Sequence, residues 1–251
     1  MLKIERDGAL ALLRLDKPRG NAIDAALVEA LTAAAADFAR DDSVRGVLLC
    51  SAHPKLFCPG LDLVELDGYD APAMQRFMLR FAEMIWSLYG LAKPVVAAVG
   101  GHAVAGGCIL ALTADDRVVV RGAQIGLNEV RIGVPLPWSV TVLLRASLPP
   151  TALTAVALDG RNFSDDEAVR AGLAHAVLAP EGFEAACRER LARLAEKEAI
   201  GVSTTKRLLR EGFLAEMRSK EAALAGEFVA AWFSEAATAR RREILASLKK
   251  A

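Results

Sequence analysis

The sequence predicts an α/β fold: a core of parallel strands with crossover helices, followed by a helical extension. Three observations carry this. Short, continuously apolar runs such as Val47-Leu48-Leu49-Cys50 and Val95-Val96-Ala97-Ala98-Val99 are typical of strands buried on both faces. Segments of helical periodicity alternate with these runs, which favours parallel pairing through helical crossovers. From Gly182 to the end the pattern is helical and free of strand-like runs.

Taken in order, residues 2–15 read as a hairpin around Asp7-Gly8, a strong turn dipeptide between alternating apolar positions. Lys17-Pro18-Arg19-Gly20-Asn21 is a loop. Asp24 then has the position of an N-cap for a helix whose apolar face includes Leu27, Val28, Leu31, Ala35 and Phe38. A strand from Val44 to Cys50 follows. Met74, Phe77, Met78, Phe81, Met84, Ile85 and Leu88 repeat at helical spacing up to Leu91, and Lys93-Pro94 ends that helix and opens a strand to Val99. A helix from Gly106 to Ala114 precedes strands at Arg117–Val120 and Gln124–Leu127. Ser164-Asp165-Asp166-Glu167 reads as a capping box for a short helix ending at Ala171-Gly172, before a strand from His175 to Leu178. We place a boundary near residue 180. Residues 1–180 form the α/β core with the functional site, and residues 181–251 form the helical region, packed tightly because no flexible linker intervenes.

Bulk properties exclude several function classes. The 251-residue chain is 53% hydrophobic and 25% charged with a formal net charge of zero, so it offers a sizeable core and no electrostatic signal for nucleic acid or an anionic membrane. No apolar run reaches membrane-spanning length. The four cysteines, Cys50, Cys58, Cys108 and Cys187, have neither zinc spacing nor a paired pattern, which fits a reduced, cytoplasmic protein. The N-terminus is strand-like and carries the acids Glu5 and Asp7, unlike a targeting peptide.

Two segments stand out: Phe57-Cys58-Pro59-Gly60-Leu61-Asp62-Leu63 and His102-Ala103-Val104-Ala105-Gly106-Gly107-Cys108. Each follows a buried strand, places glycine at a turn where backbone can approach a ligand, and opens a helix whose first N–H groups are unpaired. Two such ends converging on one point make an oxyanion hole suited to an enolate formed from a thioester. The glycines are also compatible with a tight strand-to-helix crossing and nothing more. Gly101 and Gly106 have phosphate-loop spacing, but Gly107-Cys108 stands where Lys-Ser/Thr is required, which argues against a nucleoside triphosphate.

These residues resemble the crotonase (enoyl-CoA hydratase/isomerase) superfamily. Phe57 to Leu63, Lys93 to Val99 and Ala105 to Cys108 carry the resemblance, and Pro18-Arg19-Gly20-Asn21-Ala22-Ile23 and Ala171-Gly172-Leu173 fit the same pattern in the same order. The resemblance implies a spiral of repeated ββα units with a C-terminal helical region at subunit contacts, in homotrimers or homohexamers. It assigns the oxyanion hole to the N–H groups of Leu61 and Gly106, and lines the acyl-CoA site with Cys58, Pro59, Gly60, Leu61 and Asp62. Hydratases of the family use two glutamates. Here the first of those positions is Ile109 and the second is Glu129. Paired carboxylates can activate water and donate a proton, whereas one glutamate facing hydrocarbon suits moving a proton between two carbons. The resemblance is accordingly to the Δ3,Δ2-enoyl-CoA isomerase branch, needing no metal or redox cofactor because CoA arrives with the substrate. Other acyl-CoA chemistry (hydration, hydrolysis, decarboxylation) and a non-catalytic acyl-CoA-binding or scaffold role stand as alternatives.

For Glu129 to act near neutrality its pKa must be raised by apolar walls, which Val130, Ile132, Val134, Pro135, Leu136 and Trp138 could supply. Glu65 and Asp67 are reserve bases. Asp62 reads as a helix cap, Cys108 as a small buried residue, His102 as a packed loop residue and His175 as lying at a strand edge. His53 and Lys55 read either as exposed or as near a CoA phosphate. Arg240-Arg241-Arg242 with Lys249-Lys250 read as a solvated helix face, from which a basic residue could also reach a nucleotide phosphate.

Overall fold

Strands alternate between two sheets. The structure, a computed structural model, describes residues 1–18 and 20–248; Arg19 of the Pro18 to Ile23 motif, and Lys249 and Lys250 of the basic ending, lie outside them. The first sheet has the order β1-β2-β3-β5-β7-β10, with β1 Leu2–Asp7, β2 Leu10–Leu15, β3 Gly46–Ser51, β5 Val95–Val99, β7 Asp116–Val120 and β10 Ala176–Leu178. β1 pairs antiparallel with β2 through the Gly8 turn (φ +57°), and the remaining pairings are parallel. The second sheet has the order β4-β6-β8-β9, with β4 Leu56–Cys58, β6 His102–Val104, β8 Gln124–Gly126 and β9 Asn162–Ser164.

Chain order explains the alternation. β3, β5 and β7 each run in the first sheet, and the strand after each one crosses to the second sheet before a helix returns. The helices are α1 Ala25–Arg40, α2 Leu63–Leu66, α3 Ala71–Tyr89, α4 Gly106–Leu112, α5 Trp138–Ser147, α6 Asp165–Arg170, α7 Phe183–Ala195, α8 Ala199–Trp232 and α9 Glu235–Leu248. Three successive ββα turns are the spiral that the resemblance implied.

The central strands are apolar on both faces because both are covered. Val47, Leu49, Val95, Ala97 and Val99 join the main core with α1 and α3. Leu48, Cys50, Val96 and Ala98 point the other way, onto Phe183, Cys187 and Leu191 of α7. α1 begins at Asp24, whose side chain accepts from Leu27 N, and its predicted apolar face is buried. α8 packs on α3 and α5. α9 folds back onto α2 and onto the 3₁₀ turn Glu129–Ile132.

Four sequence expectations change. The two glycine-bearing segments, read as loops, begin in strands: the first in the end of β4 and the second with β6, which pair with each other at Leu56–His102 and Cys58–Ala103. The capping box does not form: Ser164 is the last residue of β9, and no side-chain cap bond is made. Asp165 instead takes a left-handed φ of +46° and accepts from Gly122 N at 2.9 Å. The basic run on α9 is not uniformly solvated. Arg240 is exposed and pairs with Glu243, but Arg241 is 4% exposed, lying 4.1 Å from the Trp232 ring centroid and donating to Trp232 O. His102 is not packed in a loop; it is an exposed residue of β6 whose Nδ1 accepts from Gln124 N.

Candidate active site

The first glycine-bearing segment is fixed by backbone. Ile23 N donates to Gly60 O and Asp62 N donates to Ile23 O, both at 2.8 Å, so Leu61 is clamped from either side. The Asp62 carboxylate caps α2 by accepting from Val64 N and Glu65 N, and it also binds Lys17 Nζ at 3.1 Å. Burial would raise the Asp62 pKa, but the Lys17 ammonium and the two amides outweigh it and hold the carboxyl below its usual range. Lys17 also meets the Asp24 cap at 2.5 Å, joining α1 to α2. Asn21, fully buried with φ +70°, accepts from Lys17 N and donates to Phe57 O and Ser51 Oγ.

The second segment meets the first at glycine. A β-carbon on Gly60 would lie 2.9 Å from Ala105 Cβ and 3.3 Å from Gly106 N. Only a residue without a side chain permits that approach, and Gly60 also needs φ +109°. Ala105 has φ +51° and ψ −123°, a conformation that strains an L-residue, and it turns the chain directly into α4. Neither Leu61 N nor Gly106 N donates to a backbone acceptor among the described residues. Both amides lie on turns that meet at van der Waals distance.

A cavity of about 150 Å³ lies over them. Its walls include Pro59, Leu61, Gly106, Ile109 and Glu129 from the predicted set, with Ile132 and Val134. Glu129 opens the 3₁₀ turn and is 8% exposed; its Oε2 is buried with no hydrogen-bond partner among the described residues. Burial raises its pKa to about 7, against the opposing pull of the backbone amides of Glu129 and Asn128. Ile109, 2% exposed, presents hydrocarbon to the same space.

The other predicted residues lie elsewhere. Cys58 is wholly buried beneath the turn, its thiol pushed up to about 12 by burial. Gly60 and Asp62 act through the backbone and the cap. Trp138 is not on this cavity: its indole donates to Glu216 O, and with Pro135 and Leu136 it lines an adjoining chamber. Val130 is 36% exposed. Glu65 is engaged with Ala25 N and Tyr69 Oη, and Asp67 is exposed, so neither reserve base reaches the cavity. His53 Nε2 bonds Lys17 O, Lys55 is exposed, and His175 lies next to β10, bonded to Arg117.

Sequence reasoning missed Met78, Phe81, Phe228, Trp232 and Ile244 as walls. The first two sit in the apolar stripe of α3, which reads as ordinary core. Phe228 and Trp232 come from the end of α8, which packs on α3 and α5, and Ile244 comes from α9, which reaches the cavity by folding back.

Residues 5–240 match the sequence profile of the family described as enoyl-CoA hydratase/isomerase. The chain belongs to that family. It is 33% identical over 210 residues to a carnitinyl-CoA dehydratase of Salmonella arizonae, covering 83% of this chain and 80% of that one. The human mitochondrial Δ3,Δ2-enoyl-CoA isomerase superposes with a TM-score of 0.94 over 99% of this chain and 98% of that one; at 24% identity this likeness speaks for the fold alone. An enoyl-CoA hydratase of Mycobacterium ulcerans gives a TM-score of 0.82 at 26% identity, over 89% of this chain and 97% of that one. The spiral fold, the glycine turns and the acyl-CoA chemistry of the family therefore belong to this chain, while the named relatives divide among different reactions.

Proposed function

We propose that the chain isomerises 3-enoyl-CoA thioesters to 2-enoyl-CoA thioesters with Glu129 as sole acid–base group. The observation that carries this reading is the pairing of one buried carboxylate, its Oε2 without a partner among the described residues, with the hydrocarbon of Ile109 in a single cavity. The thioester oxygen accepts from Leu61 N and Gly106 N. Glu129 takes a proton from Cα, and the electron pair left behind spreads through the thioester and the 3,4 double bond as a dienolate. The same carboxyl returns the proton to Cγ, leaving the double bond between Cα and Cβ. Each oxyanion donor is worth about 3 kcal/mol, and acid–base transfer contributes about 10²–10⁴ in rate. A proton shift between carbons needs no metal or redox cofactor, and apolar walls disfavour water beside the dienolate.

Hydration or dehydration is the second reading, favoured by the sequence likeness to a carnitinyl-CoA dehydratase. It needs a group to position water or carry off hydroxide, and Ile109 offers none. Assaying purified protein with a 3-enoyl-CoA for conjugation, and with a 2-enoyl-CoA for hydration, separates the two. Dominant hydration overturns the isomerase reading. The exposed Ile200, Leu208 and Leu209 of α8 support self-association as a trimer or hexamer, which light scattering on the eluting protein tests.

A further inference from the structure

Beside the Glu129 cavity lies a second chamber of about 300 Å³. The two share Met78, Pro137 and Phe228 as a common wall. Of these, Met78 is the adaptable member, since an unbranched thioether can swing between rotamers at small cost. The second chamber is mostly apolar, walled by Trp138, Leu136 and Leu224, with no lysine or arginine in its lining.

Its buried polar group is Glu221, a residue of α8 that is 2% exposed. One carboxylate oxygen, Oε2, accepts from both Ser139 N at 2.7 Å and Ser139 Oγ at 2.6 Å, so Glu221 caps the start of α5 from a different helix. The Ser139 hydroxyl is itself held by Trp86 Nε1 at 2.8 Å. The other oxygen, Oε1, has no partner among the described residues, yet it is not among the sealed polar atoms. Glu221 lines the chamber, and Oε1 is the oxygen that the cap leaves unused. A cap needs one oxygen; the second is free to serve a ligand.

We propose that this chamber receives the distal end of the acyl chain and that Glu221 Oε1 accepts a hydrogen bond from a hydroxyl or ammonium group carried there. The proposal deepens the acyl-CoA reading by naming a substrate class: acyl groups with a hydrogen-bond donor remote from the thioester. The shared wall, with Met78 as its adaptable member, supplies the route. The free carboxylate oxygen, the aromatic walls and the lack of a lining cation supply the selectivity, because a donor head is matched where a bare methyl end would leave Oε1 unpaired.

The test measures binding of saturated acyl-CoA thioesters, which cannot react, by calorimetry, so that it stands apart from the identity of the reaction. Chains of equal length ending in methyl, hydroxyl or ammonium are compared across a series of lengths, on the wild type and on Glu221→Gln. The expected result is roughly tenfold tighter binding of a donor-ended chain at one optimal length, lost in Glu221→Gln while the methyl-ended chain binds as before. A hydroxyl-only preference and an ammonium preference both support the proposal and separate its two sources. Equal binding of all three ends, or an equal loss for all three in Glu221→Gln, overturns it and leaves Glu221 as a helix cap. Failure of the isomerase reading shows separately, as acyl-CoA binding without conversion of any 3-enoyl-CoA.

Discussion

The δ-methyl of Ile23 stands 2.9 Å from where a β-carbon on residue 106 would be. The same residue binds Gly60 O and Asp62 N through its backbone. Ile23 thus touches both halves of the candidate oxyanion hole, the first through hydrogen bonds and the second through packing. Shortening it to alanine removes buried volume, at a stability cost of about 2–4 kcal/mol, and loosens Gly106. We expect kcat of Ile23→Ala to fall by about tenfold or more with KM little changed, since the amides act on charge formed in the transition state. Ile23→Val, about 1 kcal/mol less stable, should retain most activity. Steady-state kinetics beside urea denaturation check this; a change confined to KM would count against the positioning role.

Glu129→Gln should abolish isomerisation, by about 10²–10⁴ in kcat, while acyl-CoA binding persists. In the wild type the base must be ionised, so kcat/KM should rise with pH and level off above about 7. Stability should run the opposite way. The folded state holds this proton more tightly than the unfolded chain, so burial of Glu129 becomes unfavourable as pH rises from the unfolded value of 4.5 through about 7. The difference corresponds to about 3 kcal/mol at most. Glu129→Gln should therefore gain stability at pH 8 and little at pH 4, as thermal unfolding at the two pH values will show.

How much of this was legible before the structure depends on the length of each signal. Val95–Val99 declares itself because five buried residues in a row leave no helical or amphipathic reading. β4 and β6 do not, since three residues make no period, and their conformation comes from pairing with each other across a long sequence separation. The Ser164 box fails for a related reason: pairing with Gln124 in the sheet fixes the residue that would have capped. Glu129 could be singled out because motif position overrode the bland reading. Trp138 could not be excluded, because its ring direction is set by Glu216 on α8, far along the chain. Arg241 sits in a basic run that reads as solvated, and only the return of α9 buries it against Trp232.

Placing a carboxylate opposite Glu129 tests the part assigned to Ile109. Ile109→Glu puts a second acid in a cavity that already raises one pKa, and two close carboxylates cannot both ionise easily. The rising limb of the isomerase pH profile should move above 7, and hydration of a 2-enoyl-CoA should appear or increase. Stability at pH 8 should fall by several kcal/mol. An unchanged pH profile would mean that residue 109 does not share the cavity with the base.

Gly107 probes whether close approach of α4 to β4 is needed for the site. A β-carbon there would lie 2.0 Å from Cys58 O and 2.8 Å from Cys58 C, both backbone atoms that no side-chain rotation can move aside. Gly107→Ala must push α4 away from β4, and with it Gly106 from Leu61. Gly122 makes the matching control: its φ of +83° strains alanine by about 1–2 kcal/mol, but a β-carbon there meets nothing within 4 Å. Gly122→Ala should lose about that much stability and keep its activity. Gly107→Ala should either fail to fold or fold with the oxyanion amides out of line and kcat depressed. The comparison separates backbone strain in general from the close approach of α4 to β4, and normal turnover in Gly107→Ala would show that this close packing is dispensable.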